Sequence, residues 1–291
     1  MRRALRRFVS KLTGKNRVIF FVVMFLIVAV ALSIAIYIQF FYKYADIDPL
    51  MIGIHIGAEK TKEEVELLQK NFDQLFVNDV FTSNKDAKYD LKDISKEIVF
   101  TGYNLTNEDE SYYSINAQIP VINLDTPAAV EINNKIKVDF HEKANRYMRQ
   151  SEEKIIYKVK YVAFVNQDVL SVVVKASLKE GEHPERVIIK TYNYNIPEKK
   201  AVTLSDLMQL KEMQKEVLQT KINDEIKIAY NNARVIASQY GEVYERDLNS
   251  DVYKVDNIDT YFVTQDGYVY LVFCYGNNDK QYTNVTDIVI F

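Results

Sequence analysis

The feature that most constrains this chain is an apolar run near its start. From Val18 to Tyr37 the only polar residue is Ser33. About 20 such residues, rising 1.5 Å each as a helix, span the ~30 Å hydrocarbon core of a bilayer. A helix is the expected form because backbone amides in lipid must satisfy one another. Arg2, Arg3, Arg6, Arg7, Lys11, Lys15 and Arg17 precede the run with no acidic residue among them. The excess of Lys and Arg keeps that flank cytoplasmic and sends the C-terminal side out. Tyr37, Tyr42 and Tyr44 suit an interfacial belt. A cleaved secretory signal has the same polarity, but its apolar region runs to about 15 residues at most, so length favours a retained anchor. The sequence thus predicts a basic cytoplasmic tail over 1–17, a transmembrane helix over 18–41 that contacts the lipid bilayer, and everything beyond it outside the cytoplasm.

Charge narrows what the outer part does. The net charge is −3 while the first 17 residues carry seven positive and no negative charges, leaving −10 for the remainder. An acidic exterior argues against nucleic-acid binding and allows a cationic partner. A single cysteine, Cys274, excludes a disulfide framework. Roughly 250 residues can nevertheless build a sufficient core, and a disulfide-free exported chain fits a bacterial envelope. Cys274 lies in the apolar stretch 270–275 and reads as a packing residue rather than a nucleophile.

Periodicity divides the outer part. Thr61-Lys-Glu-Glu64 has the form of a capping box, and Val65, Leu68, Phe72, Leu75 and Phe76 follow at helical spacing, predicting an amphipathic helix to about Asn78. Residues 82–95 are polar and read as a linker, so 42–95 forms a juxtamembrane segment. Strands are then expected at 97–103 and 112–120, the second alternating Tyr113, Ile115, Ala117 and Ile119 onto one face. Thr126 and Pro127 mark a helix start, and Ile132, Ile136, Phe140, Ala144 and Tyr147 carry it to about Arg149. Further strands are expected at 154–166, 169–178 and 185–196. Ser205 is a candidate cap for the next helical segment, and Met213, Leu218, Ile222 and Ala233 belong to a longer helix. A hairpin, 260–264 with 268–274, and a last strand at 287–291 complete the chain. The fold class is α+β, with antiparallel sheets and packed amphipathic helices, preceded by one transmembrane helix.

Three stretches carry a resemblance. They are Ile119-Pro-Val-Ile-Asn-Leu-Asp125 with the helix containing Ile132-Asn-Asn-Lys-Ile136; Leu170-Ser-Val-Val-Val174 through Glu182-His-Pro184 to Tyr192-Asn-Tyr-Asn195 and 201–207; and Tyr261-Phe-Val-Thr-Gln-Asp-Gly267 with the terminal strands. In this order they resemble the extracytoplasmic domain pair of unknown function in the non-catalytic region of PdaC-type peptidoglycan deacetylases and in the receptor of the RsiV lysozyme-sensing anti-sigma factor. The resemblance covers roughly 96–291 and implies a first domain at 96–200 and a second α+β domain at 201–291. No deacetylase module with its Asp/His metal motifs follows the last strand. Seventeen residues before the span are too few for a sigma-binding domain, so neither effector is expected here.

Candidate sites are sparse. His55, His141 and His183 are far apart and lack zinc spacing, and His141 is expected to face solvent. Glu108-Asp-Glu110 reads as a solvated loop, and Asp247, Asp251, Asp256, Asp259 and Asp266 lack a calcium-loop spacing. No nucleophile elbow or phosphate-binding glycine loop is present. Tyrosine is abundant, with 21 residues, and tryptophan is absent, which weakens a carbohydrate platform. His183, in a loop between strands, and Tyr192 and Tyr194 in the family-like region are the candidate ligand contacts. The expected function is a membrane-anchored, non-catalytic binding or sensing module of the bacterial envelope, without cofactor or metal. Its expected partners are peptidoglycan fragments or a cationic exported protein. The alternatives are a wall-active enzyme with an unrecognised site and a structural subunit of an envelope complex.

Overall fold

A computed structural model describes residues 72–83, 88–150, 153–240 and 244–291. The segment 18–41, His55 and the capping box at Thr61 lie outside the described residues. Among the described residues no helix is long and apolar enough to cross a membrane. All of them fall within one compact unit, Glu59–Phe291.

The first sheet has seven strands: β1 (Val80–Thr82), β2 (Val99–Asp109), β3 (Tyr113–Ile122), β4 (Ile155–Asn166), β5 (Val169–Glu180), β6 (Arg186–Asn195) and β7 (Lys200–Ala201). The order is β2-β3-β4-β5-β6-β7, with β1 beside β4. Most pairs are antiparallel, as expected, but two in this sheet are parallel. Tyr113–Ala117 of β3 runs parallel to Ile155–Val159 of β4, and β1 runs parallel to Ala163–Val165 further along β4. Two short strands thus share one edge of a long one. Parallel neighbours need a crossover connection, and the β3–β4 link supplies it as a helix.

That crossover begins at Thr126, whose hydroxyl accepts from Ala129 N, with Pro127 in the first turn. It comprises α1 (Pro127–Ile136), a π-helical segment (Lys137–Glu142) and α2 (Lys143–Gln150). Ile132, Ile136, Phe140 and Ala144 are buried at strict four-residue intervals. A four-residue step drifts around a 3.6-residue helix, and the wider π turn absorbs that drift. This keeps one apolar stripe on the sheet, packed with Tyr157, Val159, Leu170, Val172, Val174, Ile188 and Tyr194.

The opposite face is also covered. A three-stranded antiparallel sheet consists of β8 (Tyr261–Val263), β9 (Val269–Cys274) and β10 (Thr286–Ile290). Phe262 stacks on Phe164 at 5.7 Å and on Tyr270 at 4.7 Å. Side chains of the large sheet hold the backbone of β8 directly. Val263 N donates to Ser171 Oγ at 3.0 Å, Tyr261 N donates to Thr191 Oγ1 at 2.9 Å, and Asn193 Nδ2 donates to Tyr261 O at 2.8 Å. The small sheet is covered in turn by α3 (Leu204–Leu210) and α4 (Lys215–Tyr240). Leu207, Leu218, Ile222 and Ile226 pack with Val263, Val269, Leu271 and Val289. Because β5 lies between two covered faces, residues Val169–Val174 are all buried, the run expected of a central strand rather than an alternating one.

Several expectations shift. The amphipathic helix drawn to Asn78 has reached a 3-10 turn at Phe72–Leu75, and Asn78 takes φ 53° before β1. Within the expected linker, Thr82 belongs to β1 and Leu91 bridges Leu124. The cap of α3 is Thr203 rather than Ser205, since Thr203 and Asp206 form a reciprocal capping box.

Candidate functional site

The π segment turns a charged face towards the sheet and leaves a cavity of about 520 Å³ beside it. Its walls include Asp139, Lys143 and Arg146 from the helix, Tyr157 from β4, Lys190 from β6, and Asp279 from the β9–β10 connection. Asn277, in that connection, fixes the far wall. Its Oδ1 accepts from Ile189 N and its Nδ2 donates to Ile189 O, both at 2.8 Å. One side-chain amide thereby replaces a neighbouring strand along the open edge of β6.

Within the cavity Asp139 is fully engaged. Lys190 Nζ donates to Asp139 Oδ1 and Tyr192 Oη donates to Asp139 Oδ2, each at 2.7 Å. Tyr192 is held protonated, first by burial and then by the Asp139 charge. Asp279 accepts from Arg186 Nη2 at 3.2 Å, and Arg186 itself is 3 % exposed. Lys143 is half-buried, and its proton affinity is lowered first by desolvation and next by Arg186. Neither Lys143 nor Arg146 makes an ion pair among the described residues. Tyr157 is fully buried against the cavity floor, and its hydroxyl has no hydrogen-bond partner. Such a group costs about 1–3 kcal/mol of stability.

The three candidate contacts separate. Tyr192 does not line the cavity itself but holds Asp139, which does. His183 lies in the exposed loop beyond β5 and stacks on Tyr282 at 4.2 Å; Arg186 lies 5.9 Å from the Tyr282 ring, so His183 borders the same charged region. Tyr194 is fully buried and shares a 2.8 Å hydrogen bond with Thr126 at the start of α1, which makes it part of the core. His141, expected to face solvent, is half-buried with its ring 4.2 Å from that of Tyr103. Of the Glu108–Glu110 carboxylates, Asp109 accepts from Ser111 N and Tyr112 N and closes the β2–β3 hairpin. Cys274 is buried, and its thiol donates to Val187 O at 3.1 Å, with burial pushing its pKa up. Among the described residues no three His, Cys, Asp or Glu side chains are grouped as a metal site would need.

Sequence reasoning missed Asp139, Lys143, Arg146, Tyr157, Lys190 and Asp279. One signal was present, because Asp139, Lys143 and Arg146 recur at i, i+4 and i+7, a single helix face. The partners on β4, on β6 and in the β9–β10 connection had no sequence signal linking them to that face.

No protein-family profile matches the chain, and no curated protein matches it significantly. Among solved structures, a DUF3298 family protein from Pseudomonas aeruginosa PAO1 aligns with a TM-score of 0.38 at 12 % identity, over 63 % of this chain and 83 % of that one. A DUF3298 member from Bacteroides fragilis aligns with a TM-score of 0.34 at 11 % identity, over 62 % and 80 %. Both neighbours are thus domains of unknown function.

Proposed function

We propose that this protein is a membrane-tethered, non-catalytic module that binds a ligand outside the cytoplasm, at the bacterial envelope. The observation that carries the binding reading is the cavity beside the π segment, where fixed charges and a buried hydroxyl converge on a space of small-molecule size. Asp139 has both carboxylate oxygens committed to Lys190 and Tyr192, an arrangement that holds geometry rather than moving protons. Cys274 faces a carbonyl from within the core, which suits packing. The tether rests on the apolar run at Val18–Tyr37 and its basic flank. The envelope assignment rests on the sequence resemblance to the PdaC-type and RsiV outer domains. The partners in this reading are peptidoglycan fragments or a cationic exported protein.

A pull-down of the full chain from detergent with peptidoglycan fragments and, separately, with a cationic lysozyme tests this. Retention of either supports the reading, and failure with both removes both partners.

A further inference from the structure

We propose that the cavity beside the π segment is an anion site, taking the carboxylate or phosphate of a small molecule between Lys143 and Arg146, beside the ring of Tyr157. This rests on the reading of that cavity as a binding site and names the chemistry it accepts.

Of the three cations that line the cavity, Lys190 is matched by Asp139 at 2.7 Å; Asp279 in the wall pairs with Arg186, outside the lining, at 3.2 Å. Lys143 and Arg146 line the same space and make no ion pair among the described residues; Asp279 and Glu180 attract Lys143 only from a longer range. Glu142 also lines the cavity, but it is exposed and belongs to the rim. Tyr157 lies in the wall beside them, its hydroxyl buried and without a hydrogen-bond partner among the described residues. A bound oxyanion supplies the missing acceptor for both cations at once, and charge-assisted hydrogen bonds are the stronger kind. A cationic ligand meets Lys143 and Arg146 directly, and the lining carboxylates Asp139 and Asp279 already hold Lys190 and Arg186. The mutual repulsion of Lys143 and Arg186, part of the cause of the depressed Lys143 proton affinity, is relieved by a negative charge between them. Of the two partners proposed above, this chemistry favours the one carrying carboxylates.

The test is calorimetric titration of the full chain with inorganic phosphate, with alanyl-alanine bearing a free C-terminal carboxylate, and with the same dipeptide amidated. Binding of phosphate or the free dipeptide, with the amide at least ~10-fold weaker, is the expected result. The arm that binds more tightly assigns phosphate or carboxylate as the source. Lys143→Met and Arg146→Met are each expected to weaken binding ~10-fold or more, since a tenfold change corresponds to the loss of one charged contact. Arg146 is exposed, so its replacement leaves the fold intact even if Lys143→Met lowers the melting temperature. Equal binding of the amide, unchanged affinity in both variants, or no anion binding at 10 mM, roughly the weakest useful affinity, overturns the proposal. Retention of peptidoglycan fragments that is unaffected by Lys143→Met overturns the anion site while leaving the wider binding reading standing.

Discussion

Replacing Asn193 tests how the two sheets are joined. Asn193 sits on β6 at 6 % exposure. Its Oδ1 accepts from Ser171 Oγ at 2.7 Å, and its Nδ2 donates to Tyr261 O at 2.8 Å. Ser171 Oγ in turn accepts from Val263 N at 3.0 Å. One amide therefore connects two strands of the large sheet to the edge of the small one. Asn193→Ala leaves the Ser171 hydroxyl without its acceptor and removes a donor from the Tyr261 carbonyl. At about 1–3 kcal/mol for each of the two buried groups left unmatched, the expected loss is roughly 2–6 kcal/mol. Against a total stability of about 5–15 kcal/mol, that is readily measured. The assay is urea unfolding of the full chain in mild detergent, followed by circular dichroism because the protein has no tryptophan. Ser171→Ala and the double variant complete a cycle. Members of one hydrogen-bonded network couple by at least about 0.5 kcal/mol, so the double variant is expected to lose less than the sum of the singles. A single-variant loss under about 0.5 kcal/mol, or strict additivity, refutes the claim that this network joins the sheets.

Three further outcomes are expected. Arg246 and Asp287 form a buried pair in which Asp287 Oδ1 accepts from Arg246 Nη2 at 2.7 Å and Asp287 Oδ2 accepts from Tyr275 Oη at 2.6 Å; Arg246→Met strands that carboxylate and costs about 3–5 kcal/mol, while adding Asp287→Leu recovers much of it in thermal melts. A β-carbon at Gly276 meets Val187 O at 1.9 Å and Thr283 O at 2.8 Å; Gly276→Ala is expected to destabilise the protein by about 1–3 kcal/mol and to speed amide exchange at Ile189, which the following Asn277 protects. Burial first, and Lys137 second, lowers the pKa of His141 below its ordinary 6.5; the folded state then binds fewer protons than the unfolded one, so stability falls as pH drops through about 6.5 and levels off below the folded pKa, and His141→Gln removes this dependence in pH-resolved melts.

Much of the local structure was legible in the sequence because it is written in near neighbours. Thr126-Pro127 announces a helix start whatever surrounds it, and the expected strands at 154–166 and 169–178 lie within a residue or two of β4 and β5. The turn at Gln265-Asp-Gly267 was equally plain, with Gly267 at φ 87° able to reverse the chain. Where one cap competed with another two residues away, as Ser205 did with Thr203, pattern alone did not separate them. Only the reciprocal bond from Asp206 decided it.

Tertiary structure decided what depends on pairing between distant segments. Val80–Thr82 is too short to announce itself as a strand and becomes one only because β3 stops pairing with β4 after Val159, leaving Ala163–Val165 as a free parallel edge. Tyr192 and Tyr194 were equivalent in sequence, since both lie on one face of β6. One reaches the π segment and bonds Asp139, while the other meets Thr126 at the start of α1. Lys143 and Arg146 looked like ordinary charges on an amphipathic helix. Their lack of carboxylate partners follows from Asp139 turning to Lys190 and Asp279 to Arg186 across the sheet. The sequence by itself determined most of the longer helices and strands, because capping, periodicity and turn chemistry act within a few residues. The cavity and its unmatched donors came only from the packing of helix, sheet and the β9–β10 connection, whose contacts span more than a hundred residues of chain.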